Sequence, residues 1–331
     1  MNPRLSSLVA ASRVVSIPLR TKFRGITERE LLVFEGPNGF SEWAAFTEYS
    51  DDEAATWLAA AIEWGYGNLP TPKRSSVPVN AILPAVAPAD VAKILTRAGK
   101  FQTVKIKTAE KGQSVLDDLA RILEVLSLYP EAKIRLDANG GFEIPQAMEL
   151  LEKLSFEGIE LEYFEQPVAT IAELAEMKIE IAKTGQTTLI AADESVRKSS
   201  DPLAVELAGA ADILVLKSAP LGGIASALEI AASSKLPIVS SSAMQSSIGL
   251  GAELYFAACL DDLSFDAGLG TMNLFAGDLV KDSLKPVDGV MEVRRPEVAT
   301  SALDTLKAED HRYDWWIARL ERCGRLIGLE S

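Results

Sequence analysis

Five ionisable residues recur through the middle of this 331-residue chain at a nearly constant interval. Lys107, Asp137, Glu165, Asp193 and Lys217 are 30, 28, 28 and 24 positions apart, each close to the length of one strand, one helix and their connections. Three carboxylates with neither histidine nor cysteine beside them make a hard oxygen site, which suits Mg2+ or Mn2+ rather than zinc. One strand-end Asp is commonly just a solvated residue; three in register between two lysines read as a metal centre.

The lysines pose a separate question, because a buried ammonium is costly unless it is paired or its pKa is shifted. Lys107 and Lys217 could simply neutralise the carboxylates. Set on opposite sides of a site, they could instead address opposite faces of a substrate, one as a base for an α-proton while a metal holds the substrate carboxylate. Period-2 alternation puts Lys105 on the face of Lys107, and Asn139 on the face of Asp137. Glu194 follows Asp193, and Ser240, Ser241 and Ser242 follow another apolar run. The single histidine, His311, lies between Asp310 and Arg312 and reads as a surface or packing residue. No Ser/His/Asp or Cys/His system is plausible.

Positioning these groups requires strands that end side by side. Runs beginning at Val79, Thr103, Lys133, Leu161, Thr188, Ala211, Leu236 and Ser264 read as eight strands. Amphipathic segments such as SVLDDLARILEVLSLYP separate them, for seven intervening helices and an irregular last unit. The expected fold class is α/β: a (β/α) barrel over residues 78–271, with catalytic groups at the carboxyl ends of its strands. An open doubly wound sheet is the runner-up. Gly140, Gly141, Gly222 and Gly223 begin loops after two strands, as turn residues or, for PLGG, as a phosphate-binding helix start.

Residues 1–77 read as an α+β capping segment: two strands around the Gly36–Gly39 turn, then a helix from Asp51 to Trp64. The short loop around Arg24 and Gly25 suggests an open mouth without a long lid. Residues 272–331 carry a strand-like VDGVMEVRR and a terminal amphipathic helix with Trp315, Trp316 and Leu320, expected to pack with the cap.

A formal charge of −14 without a basic cluster opposes nucleic acid as a partner. No apolar run approaches the roughly 20 residues of a membrane helix, so no membrane partner is expected. Cys259 and Cys323 form neither a framework nor a CxxC site, and the N-terminus reads as mature protein, so a reduced, cytoplasmic setting is expected. A small-molecule carboxylate is the expected substrate.

The ordered set KIK, RLDAN, EYFEQP, AADES and LKSAPLGG resembles the enolase superfamily, in its muconate lactonizing subgroup. That superfamily works with a Lys or His base and magnesium. The resemblance implies Asp137, Glu165 and Asp193 as metal ligands and Lys107 and Lys217 as the catalytic pair. Lys105 and Arg135 become supporting charges, and Glu194 a partner of a lysine. PLRTKFRGITERE, VPVNAILPAV, KIKTAEKGQS and VSSSAMQSSIGLGA are similar to the actinobacterial o-succinylbenzoate synthases, over nearly the whole chain. That family dehydrates a cyclohexadiene carboxylate in menaquinone biosynthesis. The narrower resemblance implies that Ser240 to Ser242 and the loop from Gly268 to Gly270 contact the succinyl arm.

The chain departs from many relatives at Met244 and Gln245. GLGT stands where dipeptide epimerases carry Asp-x-Asp, which argues against that activity. N-acylamino acid racemase and muconate cycloisomerase share the motifs and remain the alternatives. A non-catalytic barrel-derived binding protein would carry a broken constellation, whereas all five positions are filled.

Overall fold

A computed structural model describes residues 3–23 and 25–330; Arg24, in the turn expected to leave the mouth open, lies outside them. The chain begins with a short helix, α1 (Leu5–Ala11), where only a lead into a strand was expected. Three antiparallel strands follow rather than two: β1 (Arg13–Phe23), β2 (Ile26–Gly36) and β3 (Gly39–Trp43). The extra one lies ahead of the expected hairpin and pairs along β2 from Arg13↔Val33 to Pro18↔Glu28. Gly36 cannot carry a side chain, because a Cβ there would strike the Gly65 carbonyl of α2 (Asp51–Tyr66). That helix starts where Ser50 Oγ accepts from Glu53 N at 3.2 Å, with Asp51, Asp52 and Glu53 in its first turn. Both features are favourable at the positive end of the peptide dipoles.

After β4 (Ser76–Pro78) the chain alternates strand and helix: β5 (Ala81–Leu83), α3 (Pro88–Leu95), β6 (Thr103–Lys107), α4 (Val115–Leu128), β7 (Lys133–Asp137), α5 (Ile144–Phe156), β8 (Leu161–Glu165), α6 (Ile171–Thr184) and β9 (Ile190–Ala192). Two four-residue helices, α7 (Glu194–Arg197) and α8 (Ala204–Leu207), stand where one was expected. Then come β10 (Ile213–Leu216), α9 (Ile224–Ser233), β11 (Ile238–Ser240) and α10 (Ser247–Cys259). Reciprocal capping boxes, Ser114 with Asp117 and Thr170 with Glu173, start α4 and α6.

The strands β5 to β11 form one parallel sheet in sequence order. The expected eighth strand is reduced to single bridges: Ala267 pairs with Val79 and Gly268 with Ser241. Ala267 N donates to Pro78 O at 2.8 Å and Gly268 N to Ser240 O at 2.8 Å, so this segment joins both edges of the sheet and closes it. Closure rules out the open doubly wound sheet. Gly268 runs so close to β11 that a Cβ would sit 2.6 Å from Ser241 Oγ, and its carbonyl accepts from Ser242 N at 3.2 Å.

Side-chain parity divides the barrel. Val104, Ile106, Ile134, Leu136, Phe164, Ile190, Leu214 and Leu216 face the helices in one core. Tyr163, Ala191, Ile213, Val215 and Val239 fill the barrel interior in another. The tail adds β12 (Val290–Glu292), paired with β4, then α11 (Thr300–Thr305) and α12 (Asp310–Leu326). Trp316 of α12 meets Trp43 of β3 edge-on at 5.2 Å, in a core shared by cap and tail. His311 is exposed on α12, as expected. Among the described residues no helix is long and apolar enough to cross a membrane.

Candidate active site

Each of the barrel residues singled out by spacing belongs to the inward parity. On β6, β7 and β8 the register aligns Lys107, Asp137 and Glu165 across three neighbouring strands. Asp193 lies two residues beyond Ala191, Lys217 two beyond Val215 and Ser241 two beyond Val239, continuing the interior face past the strand ends. Lys107 on β6 and Lys217 after β10 stand four strands apart in the sheet order, so closure sets them across the mouth from one another.

Every carboxylate of the triplet is turned onto an ammonium. Lys107 Nζ lies 2.6 Å from Asp137 Oδ2 and also donates to Asn139 Oδ1. Lys105 Nζ donates to both Glu165 oxygens, and Lys217 Nζ to Asp193 Oδ2 at 2.5 Å. Arg197 adds a fourth cation, with Nη2 2.8 Å from Glu194 Oε1 and Nε 3.3 Å from Asp193 Oδ1. Four cations therefore face four carboxylates in a nearly dry site, where Coulomb forces are weakly screened.

The titration shifts follow from that crowding. Burial raises Glu165, and Asp137 raises it further, so that despite Lys105 it reaches about 7. Burial would also raise Asp137, but Lys107 and Lys105 overcome it and hold the carboxyl at about 2. Asp193 is held far below its ordinary value by Lys217 and Arg197 against the same burial. Burial lowers Lys107, with Asp137 opposing. For Lys105 burial is outweighed by Glu165 and Asp137, which hold it well above the ordinary value.

As the side chains stand, no group of three or more acidic, histidine or cysteine side chains among the described residues is gathered tightly enough to hold an ion. The donor set nevertheless fits a divalent cation. Asp137, Glu165 and Asp193 repel one another at this range, and a cation among them would relieve that repulsion. Glu194 Oε2 is a buried oxygen that accepts no hydrogen bond, and Asp193 Oδ1 accepts none beyond its ion pair with Arg197, a condition that a hard cation nearby would offset.

A narrow cleft opens onto Lys105, Lys107, Asp137, Asn139, Asp193, Glu194 and Lys217. Ser241, Ser242 and Gly268 line its other wall. Ser240 does not, because its parity is outward: its Oγ is 3.5 Å from Glu253 O on α10. Gly270 is also absent from the lining, pressed against Asn80, whose carbonyl oxygen would lie 2.5 Å from a Cβ. Arg135 is buried one layer below, with Nε 2.5 Å from Glu162 Oε2 and Nη1 2.6 Å from Asp266 O. Glu194 meets no lysine directly. It accepts from Asn139 Nδ2 at 3.1 Å, and Asn139 in turn accepts from Lys107.

Several lining residues carried no signal in the sequence, and Met244 stands out there only as a departure from relatives. Phe23, at the end of β1, reaches in from the cap and places its ring 5.5 Å from Lys107 Nζ. Ile82, Ala243, Met244 and Thr271 complete the wall, with Thr271 Oγ1 3.2 Å from Ser242 Oγ. Gln166 lies outside the lining but braces the carboxylates: its Oε1 accepts from Asp193 N and Ser195 N, both at 3.1 Å. Ala109, Asn139, Gln166 and Met244 all adopt positive φ just past barrel strands, a costly backbone state that concentrates at functional sites.

Family models described as enolase N-terminal domain-like and enolase C-terminal domain-like match residues 14–65 and 88–297. The chain is 46% identical over 325 residues to the o-succinylbenzoate synthase of Mycobacterium tuberculosis (strain ATCC 25618 / H37Rv), covering 98% of this chain and 97% of that protein. It is 45% identical over 327 residues to the o-succinylbenzoate synthase of Mycobacterium ulcerans (strain Agy99), covering 99% and 97%. The fold is similar to that of muconate lactonizing enzyme from Pseudomonas fluorescens complexed with muconolactone, with a TM-score of 0.74 at 18% identity, over 90% of this chain and 98% of that one. It is also similar to the L-Ala-D/L-Glu epimerase from Bacillus subtilis, with a TM-score of 0.71 at 20% identity, over 87% and 96%.

Proposed function

We infer the reaction from one premise: the chain belongs to the o-succinylbenzoate synthase family of the enolase superfamily. It is a lyase that removes water from 2-succinyl-6-hydroxy-2,4-cyclohexadiene-1-carboxylate (SHCHC) to give o-succinylbenzoate, a step of menaquinone biosynthesis. The observation that carries this reading is identity to such synthases at 45–46% along almost the entire chain.

Lys107 is the proposed base. Burial, opposed by Asp137, lowers its affinity for a proton, and its deprotonated amine takes the proton from the carbon bearing the ring carboxylate. The resulting ammonium returns that proton to the hydroxyl on the same face as the C–O bond breaks. Water leaves, the ring becomes aromatic and Lys107 is neutral again. Lys217, paired with Asp193, holds a cation on the opposite side against the enediolate charge. Asn139 and Asp137 keep Lys107 aimed at the cleft.

The superfamily uses a divalent metal. Magnesium or manganese held by Asp137, Glu165 and Asp193 would add positive charge against the substrate carboxylate. Lys105 and Arg135 act as supporting charges beneath that site, and Ser241, Ser242 and Gly268 form the wall for the succinyl arm. The cap of residues 1–77 with 272–331 and the barrel of 78–271 are the two working units, supported by the pairing of β12 with β4. The partner is a small dicarboxylate rather than nucleic acid or membrane. The two unpaired, buried cysteines support a cytoplasmic setting.

A side-by-side assay on SHCHC and an N-succinylamino acid tests the reading. Efficient dehydration of SHCHC is expected; racemisation without dehydration would replace it with the N-acylamino acid racemase alternative.

A further inference from the structure

Two carboxylates of the cap end on the backbone of the barrel. Glu63, near the end of α2, accepts from Ile224 N and, at 2.9 Å, from Ala225 N, the first amides of α9. Glu42, on β3, accepts from Ser246 N at 3.1 Å and Gly249 N at 3.2 Å, and from Ser246 Oγ, where α10 starts. Neither barrel helix has an acidic residue in its own first turn, and α9 has Gly223 as its N-cap. The unpaired amides of a helix start need acceptors, and negative charge there is favourable. For α9 the side-chain acceptors come from the other unit of the fold; at α10 Ser246 Oγ accepts from Ile248 N at 3.2 Å, and Glu42 of the cap takes the amides of Ser246 and Gly249 and the Ser246 hydroxyl.

Both helices directly follow residues of the cleft. The turn from Ser218 to Gly223 leads from Lys217 into α9 and is closed by Gly223 N donating to Ser218 O at 2.9 Å. Glu253 of α10 grips its start, accepting from Ser218 N at 2.6 Å and Ala219 N at 3.1 Å. Glu63 grips its end, so closely that a Cβ on Gly223 would strike the Glu63 carboxylate. The wall from Ser241 to Met244 leads into α10, whose start Glu42 holds. Gln245 Nε2 reaches Glu253 Oε1 at 2.9 Å and ties the two turns together.

We propose that Glu63 and Glu42 are positioning residues through which docking of the cap sets the catalytic cleft: Glu63 fixes the turn that carries Lys217, and Glu42 fixes the substrate wall. This rests on the reading that Lys217 takes part in the reaction. Because the two carboxylates hold different turns, they govern different kinetic constants. Loosening the Lys217 turn misplaces a group that acts in the transition state; loosening the wall weakens binding.

The test compares wild type, Glu63→Ala, Glu63→Gln and Glu42→Ala at pH 8 with SHCHC. Hydrogen exchange is followed by mass spectrometry in peptides spanning residues 217–226 and 241–250. Glu63→Ala is expected to lower kcat about 10- to 100-fold with KM within about twofold, and Glu63→Gln, which keeps one acceptor oxygen, to recover part of the loss. Glu42→Ala is expected to raise KM about tenfold with a smaller change in kcat. Exchange should accelerate in 217–226 for Glu63→Ala and in 241–250 for Glu42→Ala. Lower thermal midpoints with unchanged kcat, KM and local exchange would overturn the proposal, as would identical effects of the two alanine variants on both constants. Should Glu63→Ala not fold, Glu63→Gln decides by the same split in weaker form. If wild type fails to dehydrate SHCHC, the functional reading falls, while the exchange pattern still upholds or overturns the coupling of the cap to the two turns.

Discussion

Lys105 donates to both oxygens of Glu165, at 3.0 and 2.8 Å, with both side chains buried. Two charges removed from water in this way depend on each other, so losing one strands the other. Lys105→Met is expected to cost about 3–5 kcal/mol of stability, and the Lys105→Met/Glu165→Gln double variant to recover most of it. Urea unfolding in EDTA, analysed as a double-mutant cycle, measures the coupling; simply additive losses would contradict it.

Lys107 and Lys217 should respond differently to arginine. A guanidinium stays charged and cannot serve as a base. Lys107→Arg is therefore expected to be as inactive as Lys107→Ala, about 1000-fold or more below wild type in kcat. Lys217→Arg should retain clearly more activity than Lys217→Ala, since only its charge is required. Steady-state rates on SHCHC, with circular dichroism to verify folding, distinguish the two roles. Equal losses in both arginine variants would reverse the assignment of Lys217.

Divalent metal should stabilise the protein as well as activate it. Turnover is expected to vanish in EDTA and return with Mg2+ or Mn2+. Without substrate, metal at about 100 times its Kd should add about 2.7 kcal/mol. Asp137→Asn and Asp193→Asn should reduce that gain, which thermal melts across a metal titration would measure. Metal-independent turnover would exclude the metal centre.

Glu42 makes stability fall with rising pH. Burial is the main cause of its elevation to about 7, against the hydrogen bonds from Ser246 and Gly249 and the charge of Arg29. Between about 4.5 and 7 the folded protein keeps a proton that the unfolded chain has released. The stabilisation is complete below 4.5 and is lost as pH climbs through 7, by up to about 3 kcal/mol. Glu42→Gln cannot titrate, so its stability relative to wild type should improve from pH 5 to pH 8. Unfolding midpoints at each pH check the sign; a constant difference would refute it.

The spacing of the candidate site residues was legible because each strand and its helix use a similar length of chain. Strand-end groups two residues apart also share a face whatever the surroundings. Counting the eighth strand failed because SFDAGLG reads as a strand by composition, whereas only Ala267 and Gly268 bridge neighbours, one at each edge of the sheet. The three serines also looked equivalent, but pleat parity sends Ser240 outward and Ser241 into the cleft.

The sequence by itself determined the alternation of strand and helix, the ring of acidic and lysine strand ends, and the hard character of the donor set. These depend on short-range periodicity and side-chain chemistry. Tertiary structure alone decided which carboxylate each lysine meets, that Arg135 lies a layer below the cleft, and that Phe23 and Met244 enter it. It also brought Arg29 Nε within 2.9 Å of Met244 O across 215 positions, and Glu63 onto the start of α9 across 161. Contacts at such separations leave no local periodicity to read: they arise only when barrel closure and docking of the cap bury the same surfaces together.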